Sequence, residues 1–478
     1  EHNSHSLRQQ VRLFVATDAP IKVVQVRLEN SSPYPRRVTA TYYAEWVLGV
    51  DRESTQQYIV PEYCADEQAL LARNSNSIEF GQRVAFLAGS SPPHSLTADR
   101  AEFLGHGPNG VQRPAGLTRM GLSGRVTAGA DPCAALQLHL DLPPGGSKEI
   151  YFLLGQGADR AETVAILHRF QDPAAVDAAW QDVQHLWDDI LGAVTVTTPD
   201  PAMNVLLNRW LLYQTLACRI WGRSALYQSS GAYGFRDQLQ DVMALLHTQP
   251  ALAREQIVRA AAHQFTEGDV LHWWHPPSSR GVRTRISDDL LWLPYVTAQY
   301  VAATGDATVL QEQIAFLKGE PLGPDEEERY GQYASTEETA TLYEHCRRAL
   351  AKGATAGPHQ LPLMGAGDWN DGMSRVGIDG QGESIWLGWF LHATLTNFAA
   401  LCEEYDAQNN GQVQAAAYRR QAETIRVALE ASGWDGVWYR RAYYDDGTPL
   451  GSAQNRECQI DGIAQAWAVL SGAAEPAR

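Results

Sequence analysis

Two carboxylates, Asp368 and Asp371, share the stretch Leu361-Pro-Leu-Met-Gly-Ala-Gly-Asp-Trp-Asn-Asp-Gly-Met373, with Trp369 and Asn370 between them. The segment has neither a helical nor a strand period. Gly365, Gly367 and Gly372 permit backbone angles that other residues resist, so the acids are expected on a tight, irregular loop. A carboxylate there serves as a proton donor only if a neighbouring acid or burial against Trp369 raises its pKa. The plainer alternative is a turn with an aromatic plug and a helix-capping Asp.

Two further stretches carry groups of the same kind. In Ser229-Ser-Gly-Ala-Tyr-Gly-Phe-Arg-Asp-Gln-Leu-Gln-Asp241, Arg236 and Asp237 follow a glycine-rich turn at the mouth of a helix, where both could face a cleft. A local Arg–carboxylate pair near a helix N-terminus is the structural alternative. Gly268-Asp-Val-Leu-His-Trp-Trp-His-Pro-Pro277 leads into Gly281-Val-Arg-Thr-Arg-Ile-Ser-Asp-Asp289. His272 and His275 lack the third ligand and the spacing of a catalytic zinc site. Asp288 suits either an N-cap or a sugar-hydroxyl acceptor, and Arg283 and Arg285 suit an anion.

The elements that must hold these loops change character along the chain. As far as Gly157 the pattern is β: Val11–Val15, Ile21–Leu28, Arg37–Trp46, Arg83–Leu87, Leu136–Leu140 and Glu149–Leu154 alternate or nearly alternate. Turns such as Pro143-Pro-Gly-Gly146 punctuate them, which predicts an antiparallel sandwich. Residues 91–125 are rich in Gly, Pro and Ser and read as loop. A helical period runs from Ala161 to Leu191, with Trp180 and Trp187 a heptad apart, and is read as linker helices. Beyond Pro201, a good first-turn residue, helical spacing recurs over Met203–Trp221, Asp237–His247, Ala251–Phe265, Asp288–Thr304, Thr336–Lys352, Ser384–Tyr405 and Gln412–Ser432. Helices joined by loops full of Gly, Trp, Asp and His predict a helical barrel with its site at one end. Neither a Rossmann sheet nor a phosphate loop is present.

Composition bounds the function. The chain has 478 residues, room for two or three domains, and a net charge of −17 with no basic stripe to meet phosphates. Nucleic acid and anionic membrane surfaces are therefore not its partners. Its 14 Trp and 19 Tyr suit stacking on sugar rings. The 6 Cys are scattered without paired spacing, so a reducing compartment fits, and no apolar run approaches a membrane span.

Four of these stretches together resemble glycoside hydrolase family 94, the inverting disaccharide and oligosaccharide phosphorylases formerly classed as glycosyltransferase family 36. They are Phe235-Arg-Asp-Gln-Leu-Gln-Asp241, His272-Trp-Trp-His-Pro-Pro277, Ser287-Asp-Asp-Leu-Leu-Trp-Leu-Pro294 and Gly367-Asp-Trp-Asn-Asp-Gly-Met373. Gly281-Val-Arg-Thr-Arg, Thr341-Leu-Tyr-Glu-His-Cys346 and Leu361-Pro-Leu-Met364 look most like one branch. It holds the phosphorylase-like domain of cyclic β-1,2-glucan synthases, the 1,2-β-oligoglucan phosphorylases and the cellobionic acid phosphorylases.

The resemblance implies a multidomain chain of α and β structure. A β-sandwich over 1–157 and linker helices over 158–194 precede an (α/α)6-type barrel over 195–478 that looks truncated at its C-terminus. It implies Asp371 as general acid, with Trp369 lining the subsite for the transferred glucosyl unit. Asp237 would accept that sugar's hydroxyls, with Arg236 orienting it, and Asp368 and Asp288 would be further substrate contacts. Some members carry an Arg six residues before that Asp, where this chain has Gly231, so the phosphate ligands are sought in Arg283 and Arg285. The co-substrate is inorganic phosphate, with no metal or nucleotide cofactor. The partner is a β-linked glucose disaccharide or oligosaccharide, and a homodimer fits the family. The location expected is the cytoplasm, or a soluble part of a larger membrane-associated protein. Two alternatives stay open: an inactive or regulatory glucan-binding fragment of a larger glucan synthase, and an inverting β-glucan hydrolase with Asp368 or Asp237 as base.

Overall fold

The computed structural model describes all residues except 108, 130, 223–230 and 406–410, so Ser229 and Ser230 lie outside it. The chain divides into two units, Glu1–Asp189 and Ile190–Arg478.

In the first unit, seven antiparallel strands form one sheet in the order His2–Ser4, Leu7–Val15, Ile21–Asn30, Ser147–Gly157, Val84–Gly89, Ala69–Asn74, Ile59–Cys64. Three more, Arg36–Glu45, Pro132–Leu142 and Ser95–Asp99, form a second sheet. The period-2 alternation of strand side chains sorts the core into two layers. Ile150, Phe152, Leu87 and Leu70 face the second sheet and meet Leu136, Leu138 and Leu140. Tyr151, Leu153, Phe86 and Leu71 face the other way, onto Ile166, Leu167, Phe170 and Val176. Those last residues belong to the helices Arg160–Phe170 and Pro173–Gly192, the segment read as linkers, whose apolar stripe seals the large sheet. Trp180 closes this layer against Phe14, ring centroids 5.4 Å apart. Within the stretch read as loop lie a strand, Ser95–Asp99, and a short helix, Arg100–Leu104, that Asp99 caps.

The second unit is built on the helix Ile385–Tyr405, packed against Trp292–Thr304, Gly411–Ala428 and Gly462–Leu470. It is as long and apolar as a membrane span, contrary to the sequence reading, but 78% of its most apolar window is buried inside the unit. Trp386, Trp389 and Phe390 are fully buried on it, and Phe390 meets Trp292 at 4.4 Å and Trp467 at 5.0 Å. Much of the tryptophan excess is thus core rather than sugar platform. The unit is also less purely helical than its periodicity predicts. Tyr233–Gly234, Leu271–His275, Arg280–Thr284 and Glu328–Gln332 form a four-stranded sheet, and Gln313–Lys318 pairs with Ala334–Thr341. The helix expected from Thr336 therefore starts at Leu342, where the Thr341 hydroxyl accepts from the Glu344 N–H. The helical run after Pro201 is interrupted at Asn208 and Arg209, whose backbone angles are not helical.

Candidate active site

The loop carrying Asp368 and Asp371 is stitched to two neighbours. On one side Ala366 N–H donates to Arg285 O at 3.1 Å and Ser287 N–H donates to Gly367 O at 2.9 Å. On the other, Met364 N–H donates to Gly382 O at 2.7 Å and Ser384 N–H to Pro362 O at 2.9 Å. A Cβ on Gly365 would lie 2.3 Å from Arg285 O, and its φ is +64°, so only glycine lets the loop approach this closely. Gly367 is also at positive φ, whereas Gly372 is not among the positive-φ residues. Buried Glu383 ties down the start of the loop, accepting from His359 N–H at 2.9 Å and Leu361 N–H at 3.1 Å. Asp371 then opens a short 3-10 turn whose N-cap, Asn370, accepts from the Gly372 N–H.

Five charged side chains meet at this turn. Arg236, at the start of the helix Phe235–Met243 and 6% exposed, donates from Nη1 to Asp288 Oδ1 at 2.9 Å and to Asp368 O at 3.0 Å. Its Nη2 donates to Asp371 Oδ1 at 2.5 Å. His272 stands between two carboxylates, Nδ1 at 2.8 Å from Asp289 Oδ2 and Nε2 at 3.6 Å from Asp371 Oδ2. Asp289 Oδ1 lies 3.7 Å from Arg236 Nη1, which closes the ring of charges. Only Asp371 opens to solvent, its side chain 54% exposed against 8% for Arg236 and 19% for His272.

This arrangement sets the protonation of the site. Burial would raise Asp371, but the His272 hydrogen bond and the Arg236 charge outweigh it and hold the carboxyl at about 2. Burial would lower His272, but Asp289 and Asp371 push it up to about 10. Burial carries Asp288 up to about 7 against the pull of Arg236. Asp371 is therefore not a proton donor with a raised pKa. It is ionised, between two cations.

A stability consequence follows from His272. Its folded pKa lies above its ordinary 6.5, so the stabilisation it brings is fully present below pH 6.5 and is lost as pH rises toward 10. The stability gap between wild type and His272→Asn should therefore narrow across that window, from on the order of a few kcal/mol. Thermal unfolding of both proteins at several pH values measures it. A gap that stays constant would mean His272 is not held as a cation.

The structure turns two expected substrate contacts inward. Asp368 is fully buried, with Oδ1 and Oδ2 each 2.6 Å from Arg441 and Oδ2 also accepting from Ser384 Oγ at 2.7 Å. Asp288, also fully buried, accepts from Arg236 and from Trp292 Nε1 at 3.0 Å. Neither carboxylate can reach a sugar. Arg283 is likewise corrected as a phosphate ligand. It is 1% exposed, and its five N–H donors go to Asp269, Glu267 and the carbonyls of Gly319 and Glu320. Arg285 is exposed but donates to the carbonyls of Leu322, Gly323 and Glu326. It lines a cavity of about 760 Å³ whose lining includes Ser287, Lys352 and Gly365 but none of Asp371, Arg236 or His272. Arg236 orients Asp371 rather than its neighbour Asp237.

Two expectations keep an open face. Asp237 is half-buried, its Oδ2 packed over the Gly234 backbone where a Cβ would lie 2.2 Å away. Trp369 is 45% exposed, and its Nε1 donates to Gln240 Oε1 at 3.2 Å. Sequence reading missed Asp289, Arg441 and the part played by His272. The first and third lie inside quoted motifs, but Arg441 is separated from Asp368 by 73 residues and carries no local signal. Among the described residues no three His, Cys, Asp or Glu side chains gather to hold a metal ion.

With the geometry in hand, likenesses to other proteins can be set beside it. The catalytic-domain model of the glycosyl hydrolase 94 superfamily matches residues 186–478, and the glycosyl hydrolase 94 supersandwich-domain model matches residues 1–173. The chain is 43% identical over 460 residues to cyclic beta-(1,2)-glucan synthase NdvB of Rhizobium meliloti, covering 96% of this chain and 16% of that protein. It is 30% identical over 472 residues to solabiose phosphorylase of Paenibacillus borealis, covering 98% of this chain and 57% of that one. Cellobionic acid phosphorylase of Neurospora crassa is 24% identical over 491 residues, covering 99% and 57%. A bacterial glucoamylase complexed with acarbose superposes with a TM-score of 0.55 at 10% identity, over 92% of this chain and 57% of that one. That last likeness is one of fold alone. It agrees with an antiparallel sandwich followed by a helical domain.

Proposed function

The chain belongs to the glycosyl hydrolase 94 superfamily, and from that membership we propose that it serves inverting phosphorolysis of a β-glucoside, with Asp371 as general acid. The observation that carries this reading is a solvent-facing carboxylate backed by buried Arg236 and half-buried His272, with Trp369 and Asp237 available to a sugar. A phosphate oxygen attacks the anomeric carbon while the C1–O bond to the acceptor breaks. Asp371 gives its proton to the departing oxygen, and the products are α-glucose 1-phosphate and the shortened acceptor. Phosphate is already an anionic nucleophile, so no base is needed. Asp368, buried on Arg441, is excluded from that part in any case.

The ionised state of the free acid fits a particular order of events. A glucoside seated over Asp371 would cover its solvent-facing carboxylate, and the loss of water would leave Asp371 less strongly ionised. The acid would then gain its proton as the sugar binds. Asp237→Ala is expected to lower kcat by on the order of 10- to 100-fold while changing KM less, because hydroxyl contacts tighten as the ring distorts. A rate that is unchanged, with only stability reduced, would make Asp237 a helix-capping residue.

The test of the class is phosphate. In phosphate buffer the early product, read by proton NMR, is expected to be the α-anomer of glucose 1-phosphate, with a rate that saturates in phosphate. Free glucose at the same rate without phosphate would sink the reading in favour of a hydrolase. The 43% identity to a cyclic β-1,2-glucan synthase favours a second reading, a domain of a larger synthase that binds β-1,2-glucan. Oligoglucan affinity without turnover would select it.

A further inference from the structure

The proposed reaction gives His272 no chemical step, yet the fold takes unusual care over it. On the strand Leu271–His275, Leu271 pairs with Arg283 and Trp273 with Val282, so His272 is the extra residue of a β-bulge. A bulge re-aims the side chain it carries. Here it turns the ring between two carboxylates on different segments, Asp289 at 2.8 Å and Asp371 at 3.6 Å. Asp289 is 2% exposed and also faces Arg236. Arg283, on the adjoining strand, is turned away to Asp269 and Glu267.

We propose that His272 is a positioning residue for the general acid, held through Nδ1 by buried Asp289 and acting through Nε2 on Asp371. This rests on the reading of Asp371 as the acid. The Asp289 contact fixes the ring's orientation and leaves Nε2–H facing Asp371. When Asp371 passes its proton to the departing oxygen it becomes a carboxylate, and the imidazolium beside it stabilises that charge as it develops. The interaction therefore grows along the reaction, which is the condition for acting on rate rather than on binding.

The experiment compares His272→Asn and His272→Gln with wild type and Asp371→Asn, all as full-length protein. Asn keeps an amide near the Nδ1 end and loses both reach and charge toward Asp371; Gln keeps the reach without the charge. With an unactivated β-glucoside, His272→Asn is expected to lose about 10- to 100-fold in kcat, with KM within about twofold, and His272→Gln to lose less. With a dinitrophenyl β-glucoside, whose leaving group needs no proton, the loss should largely vanish. The basic limb of the kcat–pH profile should move to higher pH, because an acid deprived of its cation holds its proton longer. Equal losses on both substrates, or an unmoved pH limb, would make His272 merely structural and overturn the proposal. Near-normal turnover by Asp371→Asn would overturn the premise instead, and the two failures are read from separate proteins.

Discussion

Asp371→Asn is expected to lower kcat on an unactivated β-glucoside by about 10²- to 10⁴-fold, the usual worth of a general acid. Asparagine keeps the shape but has no proton to give, so sugar binding should survive. The same change removes a negative charge from between Arg236 and His272. Phosphate attacks from the opposite face of the ring, so its KM should change little. A dinitrophenyl β-glucoside should recover most of the lost rate, since its oxygen leaves as a stable anion. Initial rates with both donors over a range of phosphate separate these effects. Near-normal turnover of the unactivated substrate would remove Asp371 from the role, and a rate that stays low with the dinitrophenyl glucoside would mean the loss is not one of proton donation.

The sandwich was legible because burial on a sheet leaves a periodic trace. Leu7–Val15, one strand in from the edge, carries apolar residues at alternate positions although Val11, Leu13 and Val15 face solvent, while Val84–Gly89 and residues 150–154 read as continuous apolar runs. The strands Glu328–Gln332 and Ala334–Thr341 were missed because they are mostly solvent-facing and polar, so no apolar period marks them. At the site, residue type and spacing located the loop, the Phe-Arg-Asp turn and the His-Trp-Trp-His strand, all of which supply groups to one cluster. What they could not give was direction. An aspartate in a glycine-rich loop looks the same in sequence whether it faces solvent, as Asp371 does, or an arginine far along the chain, as Asp368 does. Ion pairs between distant segments obey no period, so Arg283, Arg441 and Asp289 had no signature. The protonation state was out of reach for the same reason, because it depends on which cations the fold brings to Asp371.

The Asp368–Arg441 pair is where that lost direction has its largest consequence for stability. Both side chains are within 1% of full burial, and the two contacts are 2.6 Å each. Removing Arg441 leaves Asp368 as an uncompensated charge in the core, which costs about 3–5 kcal/mol; removing Asp368 costs less, because Arg441 keeps Asp461 at 3.2 Å. Asp368→Asn and Arg441→Met are therefore each expected to lower the unfolding temperature by several degrees. The double variant should lie far above the sum of the two losses, because a neutral pair leaves no buried charge behind. Activity should fall with stability for a geometric reason. Asp368 Oδ1 accepts from the Asn370 N–H at 3.1 Å and its carbonyl accepts from Arg236, so the carboxylate that anchors the loop also fixes the residue before the acid. In the single variants the anchor that holds Asp368 in place is weakened, and kcat should drop with little change in KM for phosphate. A direct sugar contact would behave otherwise, raising KM for the glucoside while leaving the unfolding temperature near wild type. Thermal unfolding and initial rates on the two single variants and the double decide between them. Additive losses in unfolding free energy would mean that the pair is not coupled and that Asp368 must be sought at the substrate after all.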